Sequence, residues 1–125
     1  MLTEDEAREV VLAELARDAE EIGMDLAISR VGSVSFGWVF YWCARRDIGR
    51  PAGTRPSLGG NAPFLVDREN ERFVQRGTGI PMSQQIADYE RRLRREAHAR
   101  NTAAKRAKRQ GSAATDAAGG DPDGP

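Results

Sequence analysis

The sequence has very little of what catalytic and metal sites need. It contains one cysteine, Cys43, and one histidine, His98, in 125 residues. A single cysteine excludes a disulfide within the chain and is typical of proteins from a reducing compartment. Catalysis by a cysteine–histidine pair would depend on these two residues alone. A cysteine inside an aromatic strand is more often a small core hydrophobe, and we favour that interpretation.

The sequence also lacks long apolar runs and an excess of charge. No stretch approaches the length of about 20 apolar residues that a membrane-spanning helix needs. The N-terminus reads MLTEDEAREV, which is acidic where a signal peptide would be basic and then apolar. These features predict a cytoplasmic protein without a membrane partner. Lysine plus arginine equals aspartate plus glutamate, at 19 each, so net charge alone indicates no nucleic-acid partner.

The charges are unevenly distributed along the chain. Residues 1–30 carry nine acids and three bases, whereas residues 83–125 carry six acids and nine bases. The basic run from Arg91 to Arg109 is the best candidate for nucleic-acid binding. We favour a solvated helix there and consider a nucleic-acid partner unlikely, because no aromatic side chains are interleaved for base stacking.

Metal and nucleotide sites have weak support. One histidine and one cysteine cannot complete a zinc site without carboxylates. The acidic residues that could supply these carboxylates are Glu4, Glu6, Glu14, Asp18, Glu20 and Glu21. We favour the simpler interpretation that they form the solvated face of a helix. The glycines at 59–60 and 77–79 form segments too short for a phosphate-binding loop. The sequence therefore predicts a binding module with no catalytic residue, no metal and no cofactor.

Hydrophobic spacing predicts a helix followed by a strand hairpin. A capping box of Thr3 and Glu6 begins an amphipathic helix over residues 3–22. Alternation of period two then predicts a first strand, followed by an aromatic strand in SFGWVFYWCARR. This second strand is apolar on both faces, which is typical of a central strand. The two strands should pair through a turn at Gly32 and Ser33.

The rest of the chain predicts a loop, a second hairpin and a second helix. Residues 46–61 are rich in glycine, proline and arginine, and an irregular loop of this length is more often functional or mobile than merely connecting. Short strands around Phe64 and Phe73 follow, and Pro81 suits the first turn of a helix. The order predicts an α+β fold: an N-terminal helix, a four-stranded antiparallel sheet and a C-terminal helix, with the helices on one face of the sheet.

We predict three parts of the chain. Residues 1–97 form the α+β domain, and residues 98–110 form a basic helical extension, because the apolar stripe of the last helix fades beyond Ala97. Residues 111–125 are rich in glycine, proline and aspartate and lack large apolar side chains. This composition is typical of a disordered tail.

Three segments in a fixed order resemble a known family. GWVFYWCARRD is followed by GGNAPFLVDRENERFVQRGTGIP and then by a helix containing IADYERR. The combination is similar to the immunity protein 35 (YrhB-like) family of bacteria, over about residues 3–95. The matching residues are Gly37, Trp38, Gly60, Asn61, Ala62, Pro63, Asp67, Gly77, Thr78, Pro81, Tyr89 and Glu90.

The resemblance implies a small α+β protein that neutralises a co-encoded polymorphic toxin inside the producing cell, without catalysis or a cofactor. Some members occur without an obvious toxin, and a chaperone-like role has been suggested for such proteins. A stand-alone chaperone-like protein-binding module is therefore our alternative hypothesis. The chain departs from the family pattern in the arginine-rich loop 46–58 and in the basic extension after residue 97, where partner specificity would differ.

Exposed aromatic and arginine side chains are the usual anchors of protein interfaces. The candidate contacts with a toxin domain are therefore Tyr41, Arg45, Arg50 and Arg55. We expect Tyr41 and Arg45 on the open face of the sheet, with the larger aromatic face of the same strand towards the helices. Burial of all these aromatics in the core is the open alternative.

The remaining motif residues are interpreted as architectural. Glycines allow unusual backbone conformations, asparagine can fix a turn through its side chain, and proline suits an edge strand or a helix start. These residues are Gly37, Trp38, Gly60, Asn61, Pro63, Asp67, Gly77, Thr78 and Pro81. A protein that inhibits by fitting needs a defined shape where an enzyme needs reactive groups.

Overall fold

The structure is a computed structural model that describes residues 1–51, 53–58, 61–75 and 77–120, with side chains up to residue 110. The chain divides into two compact units, Met1–Ala87 and Asp88–Pro125. The first unit contains one helix, four strands and the beginning of a second helix. The rest of that second helix lies in the second unit.

Helix α1 spans Glu4–Ile22 and begins with the predicted capping box. The backbone N–H of Glu6 donates to Thr3 Oγ1 (3.2 Å), and the N–H of Thr3 donates to Glu6 Oε1 (3.0 Å). These bonds satisfy donors that the first helical turn leaves without partners. The same contacts, first the backbone N–H and then the hydroxyl of Thr3, hold the pKa of Glu6 below its ordinary value. Gly23 ends the helix in the left-handed conformation, with φ at 78°.

Four antiparallel strands form one sheet in the order β1-β2-β3-β4. They are β1 (Leu26–Val34), β2 (Gly37–Ala44), β3 (Phe64–Asp67) and β4 (Phe73–Gln75). The aromatic strand β2 is an interior strand of this sheet, as its two apolar faces predicted. The predicted α+β fold, with a helix at each end and a four-stranded antiparallel sheet, is confirmed.

The first hairpin turns three residues later than predicted. β1 continues to Val34, and the turn consists of Ser35 and Phe36. The prediction of a turn at Gly32 and Ser33 is wrong, because both residues pair with β2 inside the ladder. Gly32 suggested a turn because glycine weakens a strand. It still has both backbone hydrogen-bonding groups, and it pairs with Val39 inside the ladder.

Gly37 is the glycine that this hairpin requires. A Cβ atom built on Gly37 would lie 2.0 Å from the carbonyl oxygen of Val66, a distance at which two atoms overlap. A Cβ built on Gly32 would meet no atom within 4 Å. The close approach of β2 and β3 therefore depends on the missing side chain at position 37.

β1 contains one residue more than its partner strand. Ile28 pairs with Trp42 and Arg30 pairs with Tyr41, which leaves Ser29 between the two pairs. A bulge of this kind bends the strand and changes which side chains share a face. It brings Arg30 onto the same face of the sheet as Tyr41.

The core lies between α1 and one face of the sheet. Its fully buried members are Ala7, Val11, Leu15, Leu26, Trp38, Phe40, Phe64 and Val66. The predicted orientation of Trp38 and Phe40 towards the first helix is confirmed by this cluster. On the opposite face of the sheet, Val39 and Leu65 are also buried, each 2% exposed. Burial of one large apolar side chain contributes about 1.5–3 kcal/mol, so this cluster dominates the stability of the unit.

Helix α2 spans Met82–Gly120. It begins directly after Pro81, as predicted, and the carbonyl of Pro81 accepts from the N–H groups of Gln84 and Gln85, both at 3.0 Å. The helix continues through residues 111–120, which the composition predicts as disordered. Alanine has the highest helix propensity, and this segment contains several alanines. Residues 121–125 of the predicted tail lie outside the described residues.

Within the described ranges, neither α1 nor α2 combines the length and the apolar character that crossing a bilayer requires.

Candidate functional site

Side chains hold the start of β3 against β2. Asn61 Nδ2 donates to the carbonyl oxygen of Trp42 (3.0 Å), and Trp42 Nε1 donates to the carbonyl oxygen of Ala62 (2.8 Å). Gln75 Nε2 donates to the same Ala62 oxygen at 2.8 Å. Backbone pairing of β2 with β3 ends at Phe64, so these bonds continue the connection beyond it. The bond of Asn61 reaches β2 and not its own turn, and its architectural role stays a prediction.

Asp67 organises the turn between β3 and β4. It is 2% exposed. Asp67 Oδ1 accepts from the N–H groups of Glu69 and Asn70, both at 3.0 Å, and Oδ2 accepts from Asn70 Nδ2 at 2.8 Å. Arg72 Nη2 lies 3.8 Å from the same carboxylate. A buried carboxylate is stable when donors surround it, so Asp67 fixes the turn in one conformation.

The segment before α2 is held by a residue that sequence reasoning missed. Gln85 is 2% exposed, and its Nε2 donates to the carbonyl oxygens of Ile80 (2.9 Å) and Gly77 (3.3 Å). Thr78 lies in the exposed turn between these two carbonyls. The sequence could have indicated this role, because Gln85 lies within the apolar stripe of a helix, where hydrophobic side chains are usual.

Two other motif residues have simpler positions. Pro63 is half-buried directly before β3, where its missing N–H removes no bond from the ladder. Gly60, which was also predicted to be architectural, lies outside the described residues.

Asp47 closes the base of the loop between β2 and β3. A short 3₁₀ turn, Arg45–Asp47, follows β2. Asp47 Oδ2 accepts from the N–H of Ser57 (2.8 Å), and Oδ1 accepts from the Ser57 hydroxyl (2.7 Å). The hydroxyl and then the N–H of Ser57 hold the pKa of Asp47 below its ordinary value. Residues 47 and 57 are thus tied together, and we call the segment between them, described at residues 48–51 and 53–56, the arginine loop.

Two arginines strengthen this base. Arg46 Nε donates to Ser57 Oγ at 2.9 Å, and Arg50 Nη1 lies 3.1 Å from Asp47 Oδ1. Arg55, farther along the arginine loop, is exposed. The structure therefore brings two of the predicted contact residues, Arg50 and Arg55, onto one organised loop.

The other two predicted contacts lie outside the arginine loop. Tyr41 is half-buried on the sheet face opposite α1, and the Arg30 guanidinium lies 4.2 Å from the centre of its ring. A cation over an aromatic face fixes both side chains. Arg45 is exposed in the 3₁₀ turn, and its N–H donates to the carbonyl oxygen of Asp25 at 2.9 Å. Together with Arg46, Arg45 lines an open cleft beside the end of α1.

Cys43 is half-buried on β2. Burial raises the pKa of its thiol, and the negative charge of Asp47 acts in the same direction, while a hydrogen bond with Ser29 acts against them. A raised pKa makes the thiolate, the nucleophilic form of cysteine, harder to form. Among the residues that the structure describes, no three histidine, cysteine or acidic side chains are grouped as metal ligands would be.

The sequence could not predict the Asp47–Ser57 contact at the loop base or the Tyr41–Arg30 pair. Asp47 and Ser57 are ten residues apart in an aperiodic segment, so nothing in the spacing connects them. Arg30 faces Tyr41 only because of the bulge in β1. Both depend on backbone geometry that local patterns do not encode.

The chain was compared with known proteins. No family model matches it, and no solved structure matches it significantly. The uncharacterized protein YrhB from Escherichia coli (strain K12) is 30% identical over 71 residues, which make up 57% of this chain and 74% of that relative. The match shows that the chain belongs to the family of YrhB.

Proposed function

We propose that this chain is a non-enzymatic immunity protein that binds a cognate polymorphic toxin domain inside the producing bacterial cell and blocks its activity. The ordered motifs that resemble immunity protein 35 support this function. Inhibition of this kind needs a surface that fits the toxin and covers its active site. It needs no nucleophile, metal or cofactor on the inhibitor.

The observation that carries the proposal is the arginine loop on its fixed base. Binding costs less free energy when a loop is already held in one conformation. The bonds from Ser57 to Asp47 provide this order. Arg55 is exposed, and Arg50 is exposed while one of its guanidinium nitrogens pairs with Asp47 at 3.1 Å, which leaves its other nitrogens for a partner. Arginine is enriched among the residues that dominate binding energies. The arrangement is what a pre-formed protein-binding loop requires.

The chemistry of the loop indicates what it would contact. A guanidinium group pairs with carboxylates through two parallel hydrogen bonds, so arginines select acidic surfaces. We therefore expect the toxin to present aspartate or glutamate side chains to Arg50 and Arg55. The Tyr41–Arg30 pair would add a flat contact on the neighbouring sheet face.

The chaperone-like alternative predicts a broad apolar patch. Large apolar side chains that are exposed within the described ranges are Met1, Val10, Leu12, Ile22, Ile48 and Phe73. They are distributed over the N-terminus, α1, the arginine loop and β4. Val10 and Leu12 point about 200° apart around α1, since each helical residue advances the direction by about 100°. Single exposed hydrophobic side chains are normal on soluble domains and provide no client-binding surface.

The test is to co-purify the chain from its native cell and then measure its affinity for the toxin domain that co-purifies. One stoichiometric toxin domain is expected, and a spread of unfolded clients would support the alternative. The double variant Arg50→Ala/Arg55→Ala should weaken toxin binding by more than tenfold and remove protection of growing cells, because truncated anchor residues commonly cost 2 kcal/mol or more, about 30-fold in affinity.

A matched control removes two arginines from α1. Arg8 is 40% exposed, close to the 42% of Arg50, and Arg17 is also exposed. Arg8→Ala/Arg17→Ala changes the net charge by the same amount and should alter affinity less than threefold. Equal losses in the two double variants, with both folded by circular dichroism, would show that the arginine loop is not the contact.

A further inference from the structure

The second unit carries basic side chains along one side of α2. Residues 88–110 contain nine bases and three acids, all within α2. Six of these bases are exposed and share one side of the helix, and we call them the basic face: Arg91, Arg94, Arg95, Lys105, Arg106 and Arg109. At about 100° per residue they fall within an arc of about 120°, and they extend over about 27 Å of the helix axis.

Nearby acids neutralise little of the basic face. Asp88 pairs with Arg91 at one end of it. Glu96 pairs with Arg92, which points away from the basic face. Within the described part of the chain, no acidic side chain forms an ion pair with the other five members. Like charges that are aligned and unneutralised produce a strong local potential, which attracts a polyanion.

We propose that the basic face of α2 binds the phosphate backbone of double-stranded DNA. A row of cations that contacts several phosphates releases the counterions condensed on the duplex, and this release drives binding. The missing aromatic side chains disfavour base stacking with single strands, but a duplex backbone does not require stacking. This site is separate from the arginine loop and does not rest on the proposed toxin binding.

The shape of the helix favours DNA over a double-stranded RNA. An α-helix with its side chains is about 10–12 Å across, and the major groove of B-form DNA is about 12 Å wide. The major groove of A-form RNA is deep and too narrow to admit it. His98 and Thr102 lie on the basic face between Arg95 and Lys105, and a shallow groove lined by Ala99, Thr102 and Ala103 runs along one edge of the face. Small side chains there permit close approach of the helix to the duplex.

An anionic membrane is a poorer partner for the same face. Helices that lie on membranes bury large apolar side chains opposite their basic residues. Beyond Leu93, the positions opposite the basic face are Ala97, Arg100, Ala104 and Ala107, which include no large apolar side chain. Alanine provides too little apolar area for insertion between lipids.

The experiment measures binding of the full chain to a fluorescently labelled 20-base-pair duplex of random sequence by anisotropy, at 50 to 200 mM NaCl. Five or six phosphate contacts predict a slope of log Kobs against log salt of about −4.5 to −5.4. A double-stranded RNA of equal length and vesicles containing phosphatidylserine are measured in parallel. Tighter binding to either, or no binding to DNA at 50 mM salt, would overturn the proposal.

Two triple variants separate the basic face from general charge. Lys105→Gln, Arg106→Gln and Arg109→Gln together should reduce DNA affinity at least tenfold and make the salt slope shallower by about 2.7, which corresponds to three lost contacts.

The control variant combines substitutions outside the basic face, namely Arg92→Gln, Arg100→Gln and Lys108→Gln. It removes the same charge from the same helix, and glutamine preserves helix propensity in both variants. The control should lose less than threefold in affinity. Equal losses, with helix content unchanged by circular dichroism, would show that binding follows net charge and not the basic face.

Discussion

Two neighbouring segments of this protein use polar side chains in opposite ways. Between β2 and β4, Asn61 and Asp67 direct their side chains to backbone groups inside the fold. In the arginine loop, Arg50 and Arg55 are exposed, and Asp47 ties the base of the loop to Ser57 and also pairs with Arg50. The first segment determines shape, and the second offers contacts. Substitutions in the two segments should therefore have separable effects on stability and on binding.

The largest expected effect lies in the shape-determining segment. Gly37→Ala places a Cβ 2.0 Å from the Val66 carbonyl oxygen, so the two strands must separate. We expect a loss of about 3 kcal/mol in the free energy of unfolding, measured by urea denaturation. Gly32→Ala is the matched control, since its Cβ would meet no atom within 4 Å, and it should change stability by about 0.5 kcal/mol or less. Equal losses at both positions would show that general strand propensity, and not the close approach, explains the glycine.

A smaller stability effect is expected at Asn61. Asn61→Ala removes the bond to the Trp42 carbonyl and should lower the free energy of unfolding by about 0.5–2 kcal/mol, while the affinity of the folded protein for its partner stays unchanged. Asn101→Ala, at an exposed position of α2, serves as the control. An unchanged melting temperature together with abolished partner binding would instead identify Asn61 as a contact residue.

In the arginine loop, pH should act locally. The pKa of Asp47 is lower in the folded protein than its ordinary value of about 3.9. The ionised carboxylate therefore contributes fully to the stability of the loop base above that ordinary value, and this stabilisation is lost as pH falls through the folded pKa. We expect the loop to resist proteolysis near neutral pH and to become cleavable at more acidic pH, before the sheet unfolds. Proteinase K near neutral pH and pepsin at acidic pH can measure this, with Asp47→Asn as the variant whose loop should be cleaved in both ranges. Cleavage that begins only with global unfolding would contradict a separately ordered loop.

The smallest effect is expected from the acidic surface of α1. Glu14, Asp18 and Glu21 lie outside both segments, and acids on an exposed helix need no role beyond solubility. Their replacement by lysine should slow association with the toxin less than tenfold, measured by stopped-flow fluorescence. A larger decrease with weaker salt dependence, in a folded variant, would show that α1 steers the toxin, as a basic nuclease surface would require.

The sequence predicted those features that repeat or that have a local signature. Helical spacing and the Thr3–Glu6 capping box located α1, and alternation located the central strand β2. The predicted position of the first turn was wrong because Gly32 looked like a turn residue. The glycine that the hairpin does require, Gly37, is needed because of its close approach to Val66, which is distant in the sequence. For the same reason, the loop base at Asp47 and the Arg30–Tyr41 pair were visible only in three dimensions.

The extra residue at Ser29 also determines what the edge of the sheet can accept. β1 is an edge strand of nine residues, and a flat edge of that length is a template on which a second chain can aggregate. The bulge interrupts the regular order of free backbone donors and acceptors, and the charged Arg30 follows it directly. An incoming strand could stay in register on only one side of Ser29. We therefore expect this edge to resist edge-to-edge association.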